Sequence, residues 1–244
     1  MIEALLLRFD APLMSFGGPA VDQERVTQEF PARSMLAGLI ANALGYEHRH
    51  AAETQRLQER LRFAARRDRA GALLEDYQTV DLGQSFLVDS GWTTWRRPET
   101  RKGGPARAET HIRARHHFAD AVYTVAITLE PPTEAPTLLD LERALQMPAR
   151  PLFLGRKACL PASPIFLGRS QAEGLRLLLE ATPRITRRGD TGNLSAWWPA
   201  EEGGDETTSQ LVPVHDDRDW ANQIHAGRRL LWQGLVDPTE PADE

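Results

Sequence analysis

The order of the apolar segments constrains the fold of this sequence more than any other feature. Residues 4–9 form a short apolar run that ends at Pro12, which is typical of a buried first strand. Ser34 precedes apolar residues at three- and four-residue spacing that stop at Gly45. This pattern predicts an amphipathic helix with Ser34 as its N-cap.

The rest of the chain continues this alternation of strands and helices. The expected elements are a polar helix at 51–60, strands at 61–67 and 73–80, a strand at 121–129, a helix at 137–147, a strand at 164–169 and a helix at 171–180. A long excursion at 81–119 holds several glycines and too few apolar residues for a core of its own. An excursion of that length inside a compact domain is usually functional or disordered.

Strand, helix, strand, insertion, strand, helix, strand is the order of a ferredoxin-like split βαβ unit, whose RNA-binding version is the RRM. The fold class is therefore predicted as α+β. The predicted domain covers residues 1–182. Residues 183–244 form a less regular C-terminal extension with a weak final strand near 230–236. We expect its acidic tail to be disordered because it is rich in Pro, Asp and Glu.

The net charge of −5 is unevenly distributed along the 244 residues. Residues 1–200 carry 26 basic and 23 acidic side chains, whereas residues 201–244 carry 3 and 11. The body of the protein is thus slightly basic, and the negative net charge of the whole chain does not exclude a nucleic-acid partner.

Most of the local positive charge lies within the excursion. Residues 96–115 hold seven basic and two acidic side chains, interleaved with aromatic residues and histidines. Such a run is often only a solvated loop face, but flat groups beside guanidinium groups also suit RNA, where rings stack on bases and arginine binds phosphate. The preference for arginine carries less weight here because 27 of the 29 basic residues in the chain are Arg.

A second candidate is the turn Gly155-Arg156-Lys157, between apolar flanks. Glycine would let the backbone of a partner approach closely, and the two cations would face it. The same pattern also fits a plain helix-to-strand turn with two solvated charges.

Other chemistries find little support in the sequence. The histidines lack metal-ligand spacing, Cys159 has no partner for a disulfide, and phosphate-binding or serine-hydrolase motifs are absent, so we expect no metal and no cofactor. No stretch approaches the ~20 apolar residues of a membrane span, and the first residues do not resemble a signal peptide. The expected location is the cytoplasm.

Five segments taken together carry a family resemblance. They are Pro31 to Ile40, Asp76 to Val80, Glu109-Thr110 before Tyr123 to Ala126, Leu154 to Pro161, and Pro164 to Gly168. In this order they resemble the CasD-type subunits of Cascade, the type I-E CRISPR surveillance complex. The region around Asp219-Trp220 is also similar.

The resemblance implies a non-catalytic RAMP protein with an RRM-like fold and an inserted β-hairpin "thumb" at about 81–118. Such subunits bind and cap the 5′ handle of the CRISPR RNA (crRNA), contact a CasC-type backbone subunit and a CasA-type large subunit, and meet target DNA only through the complex. The positions that the resemblance implies in RNA binding are Phe16, Arg25, Arg33, Ser34, Tyr77, Arg101, Lys102, Arg107, His111, Arg113, Arg115, Gly155, Arg156 and Lys157.

Those positions divide into two roles. The cations and the amino-terminal end of the first helix would bind phosphates. Phe16, Tyr77 and His111 would stack on splayed bases, although each ring could equally belong to the core.

Two other functions stay open. In type I-C systems the corresponding subunit cuts precursor crRNA without a metal, and this chain has Tyr77, several histidines and Lys157 with which to attempt acid–base cleavage. A protein–protein scaffold that does not touch RNA is the other alternative, and would rely on the acidic tail.

Overall fold

The computed structural model describes residues 1–18, 23–81, 91–92, 98–99, 110–185 and 193–239. Its strands are β1 (Ile2–Asp10), β2 (Leu13–Met14), β3 (Glu24–Arg25), β4 (Leu61–Arg69), β5 (Ala72–Asp81), β6 (Gly91–Trp92), β7 (Pro98–Glu99), β8 (Thr110–Ala119), β9 (Val122–Leu129), β10 (Phe166–Ala172), β11 (Leu194–Pro199), β12 (Ser209–Val214), β13 (Arg218–Asp219), β14 (Ile224–His225) and β15 (Arg229–Val236). The helices are α1 (Arg33–Ala43), α2 (Ala51–Arg60), α3 (Leu138–Gln146) and α4 (Leu175–Ala181), with a 3-10 turn at Ala200–Glu202.

A seven-stranded antiparallel sheet forms the centre of the protein, in the order β10-β1-β9-β4-β11-β15-β12. Helices α1 and α2 connect β1 to β4, and α3 connects β9 to β10. The first four strands in this order therefore come from the amino-terminal two thirds of the chain, and the last three from its carboxy-terminal part.

Each face of this sheet has its own core, because successive side chains of a strand point to opposite sides. On β1, Leu5, Leu7 and Phe9 join the larger core with α1, α2 and α3. Ala4 lies in the smaller core beneath α4. Ala64 and Ala126 are directly paired beneath α4, and their small side chains let the helix approach the sheet closely.

A second sheet is built around β8, in the excursion between β4 and β9. β5 pairs with β8 over ten residues, from Ala72 opposite Ala119 to Asp81 opposite Thr110. The other edge of β8 pairs with the short strands β2 and β3. β6 and β7 pair with each other within the same excursion.

The mixed α+β class is confirmed, and so are the main strands and helices of the first 147 residues. Two details differ from the expectation. Helix α1 begins at Arg33 after Ala32, so Ser34 is not its N-cap but a buried residue of its first turn. Strand β10 extends to Ala172, so the last predicted helix is shorter and begins at Leu175.

The final strand expected at 230–236 is confirmed as β15, but the described part of the region past residue 182 is more regular than expected. Strands β11, β12 and β15 extend the central sheet, with β11 paired directly to β4. Trp197 and Leu231 belong to the larger core, and Trp198 belongs to the smaller one. The regions on either side of residue 182 therefore share one sheet and both cores.

Candidate nucleic-acid interface

Four of the residues predicted to bind RNA lie on one side of the second sheet. His111, Arg113 and Arg115 alternate along β8 and so share a face, and Arg25 on β3 is paired with Arg115. We call the side that carries Arg25, His111, Arg113 and Arg115 the basic face. Three of the four follow one another on β8, and the pairing of β3 with β8 brings Arg25 to them from a distant part of the sequence.

Positive charge prevails on the basic face. Arg25 is exposed, and Arg113 and Arg115 are partly exposed. Among the described residues of this face, Asp76, opposite Arg115, supplies the carboxylate, and it also accepts a hydrogen bond of 2.6 Å from Gln78 Nε2. Three guanidinium groups thus face one carboxylate.

Arg156 holds this sheet in place from the side of the basic face, at the end of β8 where His117 follows Arg115. Its Nη1 donates to the carbonyl of His116 at 2.9 Å and lies 3.1 Å from His117 Nε2, and its Nη2 donates to the carbonyl of Arg25 at 2.8 Å. Burial lowers the pKa of Arg156, and the nearby Arg115 and Arg25 lower it further. Arg156 therefore cross-links β3 and β8, and its contact with RNA stays a prediction, as does that of the exposed Lys157.

His117 is buried against this cross-link. Its side chain is only 3% exposed, and burial together with the charge of Arg156 lowers its pKa. A histidine with these surroundings favours its neutral form and has little access to a ligand.

Gly155 allows a close approach, but the partner is the chain itself. Its φ is +95°, and a Cβ there would lie 1.6 Å from the carbonyl oxygen of Ser15. Ser15 N also donates to the carbonyl of Leu154 at 3.1 Å. The prediction that Gly155 lets the backbone of a binding partner approach is thus wrong, because the loop after β2 already fills the space where a Cβ would lie.

The amino-terminal end of α1 is already occupied. The N–H of Arg33 donates to Asp216 Oδ2 at 2.8 Å, and the N–H of Ser34 donates to the carbonyl of Asp216 at 2.9 Å. The guanidinium of Arg33 forms a two-point ion pair with Asp217, at 2.5 Å through Nε. The expectation of free N–H groups at this end is wrong, since a protein carboxylate takes the place of a phosphate.

The candidate stacking residues divide three ways. Phe16 is fully buried, with its ring edge-on to Tyr123 at 4.9 Å between centroids, so its predicted stacking on a base is wrong. Tyr77 is 60% exposed but is paired with Ala114, which places it on the side opposite the basic face. His111 is exposed on the basic face itself. Arg101, Lys102 and Arg107 lie outside the described residues.

A cleft of about 280 Å³ opens beside Arg156, and we call it the α1 cleft. It lies between α1, the loop after β2, the Gly155 loop and a C-terminal segment, residues 215–228, that we call the strap. The lining residues that matter for chemistry are Ser15, Asn42, Phe153, Arg156, Arg218, Trp220 and His225.

Buried polar contacts hold the strap against α1 and α2. Gln58 Nε2 donates to the carbonyl of Arg218 at 3.0 Å, and Gln58 Oε1 accepts from Arg218 N at 3.1 Å and from Trp220 Nε1 at 3.0 Å. The indole of Trp220 lies against Gly38, where a Cβ would come within 3.2 Å of the ring. The guanidinium of Arg218 lies over the same indole, 5.6 Å from the ring centroid.

Sequence reasoning missed the strap as part of the site. Arg218 and Trp220 lie some 160 residues from their partner Gln58, and no local pattern reports such a contact. The resemblance around Asp219-Trp220 was the signal that could have found them.

Two negative findings complete the description. The described residues contain no cluster of three or more His, Cys, Asp or Glu side chains that could hold a metal ion. Within the same ranges, no helix is both long enough and apolar enough to span a bilayer.

Comparison with known proteins identifies the class. Residues 4–231 match the family described as CRISPR-associated protein (Cas_Cas5), and the chain belongs to this family. Among curated proteins it is similar to the CRISPR system Cascade subunit CasD of Escherichia coli (strain K12), with 33% identity over 159 residues that cover 65% of this chain and 67% of CasD.

Two solved structures are similar along nearly the whole chain. A chain of a structure titled "CRISPR RNA-guided surveillance complex" gives a TM-score of 0.65 at 28% identity, covering 98% of this chain and 91% of the other. A second, titled "Crystal structure of Cas protein", gives a TM-score of 0.64 at 26% identity, covering 98% and 100%.

Proposed function

We propose that this protein is a non-catalytic subunit of a Cascade-type surveillance complex and that it binds the 5′ handle of crRNA on the basic face. The observation that carries the proposal is the convergence of Arg25, Arg113 and Arg115 on one side of the second sheet. Membership of the Cas5 family and similarity to CasD support the role in a CRISPR complex.

The geometry of β8 suits an extended RNA backbone. Arg113 and Arg115 are two residues apart on one strand, so their Cα atoms are about 6.6 Å apart. Each guanidinium can bind a phosphate through two parallel N–H groups. A single-stranded handle laid along β8 would therefore meet one arginine after another.

The fold and the partners belong to the same proposal. The strand order β10-β1-β9-β4 with its helices supports a ferredoxin-like, RRM-like RAMP domain, and the thumb, at about 81–118, falls within the insertion that runs from β5 to β8. The side opposite the basic face exposes Leu73 and Tyr77, which suits contact with a CasC-type backbone subunit. A CasA-type large subunit and, through the complex, target DNA complete the partners.

Cleavage of precursor crRNA is the alternative enzymatic function, and the geometry does not favour it. His117 is buried beside Arg156, and Tyr77 lies on the opposite side of the sheet from His111. A metal-free ribonuclease site that combines Tyr77 with His111 or His117 is therefore not formed, and Tyr77 could act only with His116, which lies on its own side of the sheet, away from the basic face.

The test compares the full chain with the double variant Arg113→Ala/Arg115→Ala in binding a repeat-derived handle RNA. Each phosphate contact on a single strand contributes about 0.7 to the slope of log affinity against log salt concentration, so the variant should lower that slope by about 1.4. Affinity should fall at least about tenfold at low salt. The matched control is Arg49→Ala/Arg143→Ala, which removes two exposed arginines from the helical side.

The outcomes separate the three functions. Loss of binding in the β8 variant alone supports binding by the basic face. Equal affinity in both variants, or no binding by the wild type, contradicts it. Cutting of the repeat RNA at a fixed site by the wild-type chain, abolished by His111→Ala, replaces the proposal with the nuclease function.

A further inference from the structure

We propose that the α1 cleft is a pocket for one unstacked nucleobase, and that it selects uracil or guanine, which carry the carbonyl oxygen O4 or O6, over cytosine or adenine, which carry an amino group at that position. This inference rests on the proposed function, because the base would belong to the RNA strand that follows the basic face.

The size of the cleft suits a single ring system. At about 280 Å³ it lies just below the ~300 Å³ at which pockets for drug-sized ligands begin. Phe153 and Trp220 both line it, and both are partly exposed. Aromatic side chains on a partly open cleft are the usual platform for a splayed base.

The charged groups that line the cleft, Arg156 and Arg218, are donors, and the hydroxyl of Ser15 can donate as well. The hydroxyl of Ser15 and the Nε of Arg218 have no hydrogen-bond partner within the described part of the chain. Ser15 is only 1% exposed, so the cost of leaving its hydroxyl unsatisfied is not relieved by bulk water. A ligand that accepts hydrogen bonds would relieve it.

The charge of the cleft also favours a ligand that accepts hydrogen bonds. Arg156 and Arg218 line it, and none of the described lining residues is acidic. Cytosine and adenine present an amino donor on the pairing edge, whereas uracil and guanine present the carbonyl oxygens O4 and O6. An amino group would meet the guanidinium of Arg218 unfavourably, whereas a carbonyl oxygen would accept from it and from the hydroxyl of Ser15.

The cleft is also continuous with the basic face. Arg156 lines the cleft and at the same time bonds to the carbonyls of Arg25 and His116 in the second sheet. A strand whose phosphates follow β8 thus passes the mouth of the cleft, and one base can turn into it without a second binding surface.

The experiment uses the full chain and fluorescent cytidine octamers at pH 7.5, in which a single uridine or guanosine replaces cytidine at each position in turn. We expect one position at which uridine or guanosine raises affinity by about fivefold or more, within the range of a base-specific contact. The double variant Ser15→Ala/Arg218→Gln should reduce that preference to less than about twofold. A circular dichroism melt checks that the variant is folded.

Two further arms make the result decisive. In Arg113→Ala/Arg115→Ala, affinity should fall for all octamers by the same factor, so that the preference survives. An octamer with 4-thiouridine at the preferred position should crosslink under 365 nm light to Phe153 or Trp220, as located by mass spectrometry.

The possible failures are distinguishable. Equal affinity for all octamers, with binding still dependent on the β8 arginines, overturns the base pocket and leaves the proposed function standing. Crosslinks confined to β8 also overturn the pocket. Loss of binding in neither variant, or no RNA binding by the wild type, overturns the proposed function itself.

Discussion

A single hydrogen atom in place of a methyl group decides whether the Gly155 loop can meet the loop after β2. At Gly155 the φ of +95° and the carbonyl of Ser15 leave no room for a Cβ. Since both loops line the α1 cleft, the shape of the candidate site depends on this contact.

Replacing Gly155 with Ala should therefore lower the free energy of unfolding by at least about 2 kcal/mol, because the positive φ is strained for Ala and the clash is with backbone that cannot rotate away. Urea denaturation followed by circular dichroism measures the change. Gly168→Ala on edge strand β10, where a Cβ would meet nothing within 4 Å, is the matched control and should change stability by less than about 1 kcal/mol. Equal effects of the two substitutions would contradict the assigned contact.

The buried His117 makes the stability of the fold depend on pH. Its pKa is lowered in the fold, so the unfolded chain, with an ordinary histidine pKa of about 6.5, binds the proton more readily than the native protein does. Stability is therefore complete above about pH 6.5 and is lost as the pH falls below it. The loss due to one histidine is at most about 1.4 kcal/mol per pH unit.

Urea midpoints at pH 7.5 and 5.5 for the wild type and for His117→Gln measure this contribution. The variant should lose less stability between the two pH values than the wild type does. His225, whose pKa is also lowered by burial and by Arg218, contributes in the same direction, so His225→Gln offers a parallel comparison. An unchanged pH dependence in His117→Gln would show that this histidine does not titrate as described.

At the scale of elements, the strap shows how a polar segment can complete a helix. Asp216 is 1% exposed. Its carboxylate accepts from Arg33 N at the start of α1 and forms a two-point ion pair with Arg229 at 2.6 and 2.7 Å, and its backbone carbonyl accepts from Ser34 N. One carboxylate thus joins α1, the strap and β15. A buried carboxylate without partners destabilises the fold, and removal of the carboxylate likewise leaves the partly buried Arg229 without its counter-charge.

Asp216→Ala should lower the free energy of unfolding by about 3 kcal/mol, because it removes a helix cap and leaves the partly buried Arg229 unpaired. Chemical denaturation measures it. The exposed Glu206→Ala serves as the control and should stay within about 0.5 kcal/mol of the wild type. A small effect at Asp216 would mean that the strap is not held through this carboxylate.

At the scale of the whole molecule, the carboxy-terminal region is part of the core. A chain ending at residue 182 would lose Trp197, Trp198 and Leu231, and would expose the edge of β4 where β11 pairs. We expect this truncation to be insoluble or unfolded when expressed alone. A chain ending at Thr239 keeps the hydrogen bonds of Thr239 to the carbonyl of Glu180, and should match the full chain in yield and melting temperature.

The sequence predicted best what depends on neighbours along the chain. Helices α1 and α3 and strands β1 and β9 follow from apolar spacing, and α3 has the capping box of Thr137 and Asp140 that local rules describe. The roles of Arg33, Gly155 and Phe16 could not be predicted in this way. Their partners lie far away in the sequence, and a cation, a glycine or a ring offers the same local pattern whether its partner is RNA or the protein itself.

The register of β5 and β8 has a consequence for how this family can vary. Substitution on β8 changes one side chain, but insertion of one residue before Arg113 would turn Arg113 and Arg115 to the side where Tyr77 now lies. The basic face would disappear without the loss of any arginine. The basic face thus depends on the register of β8 as well as on its arginines, whereas a change in the number of residues between β5 and β8 leaves the ladder intact.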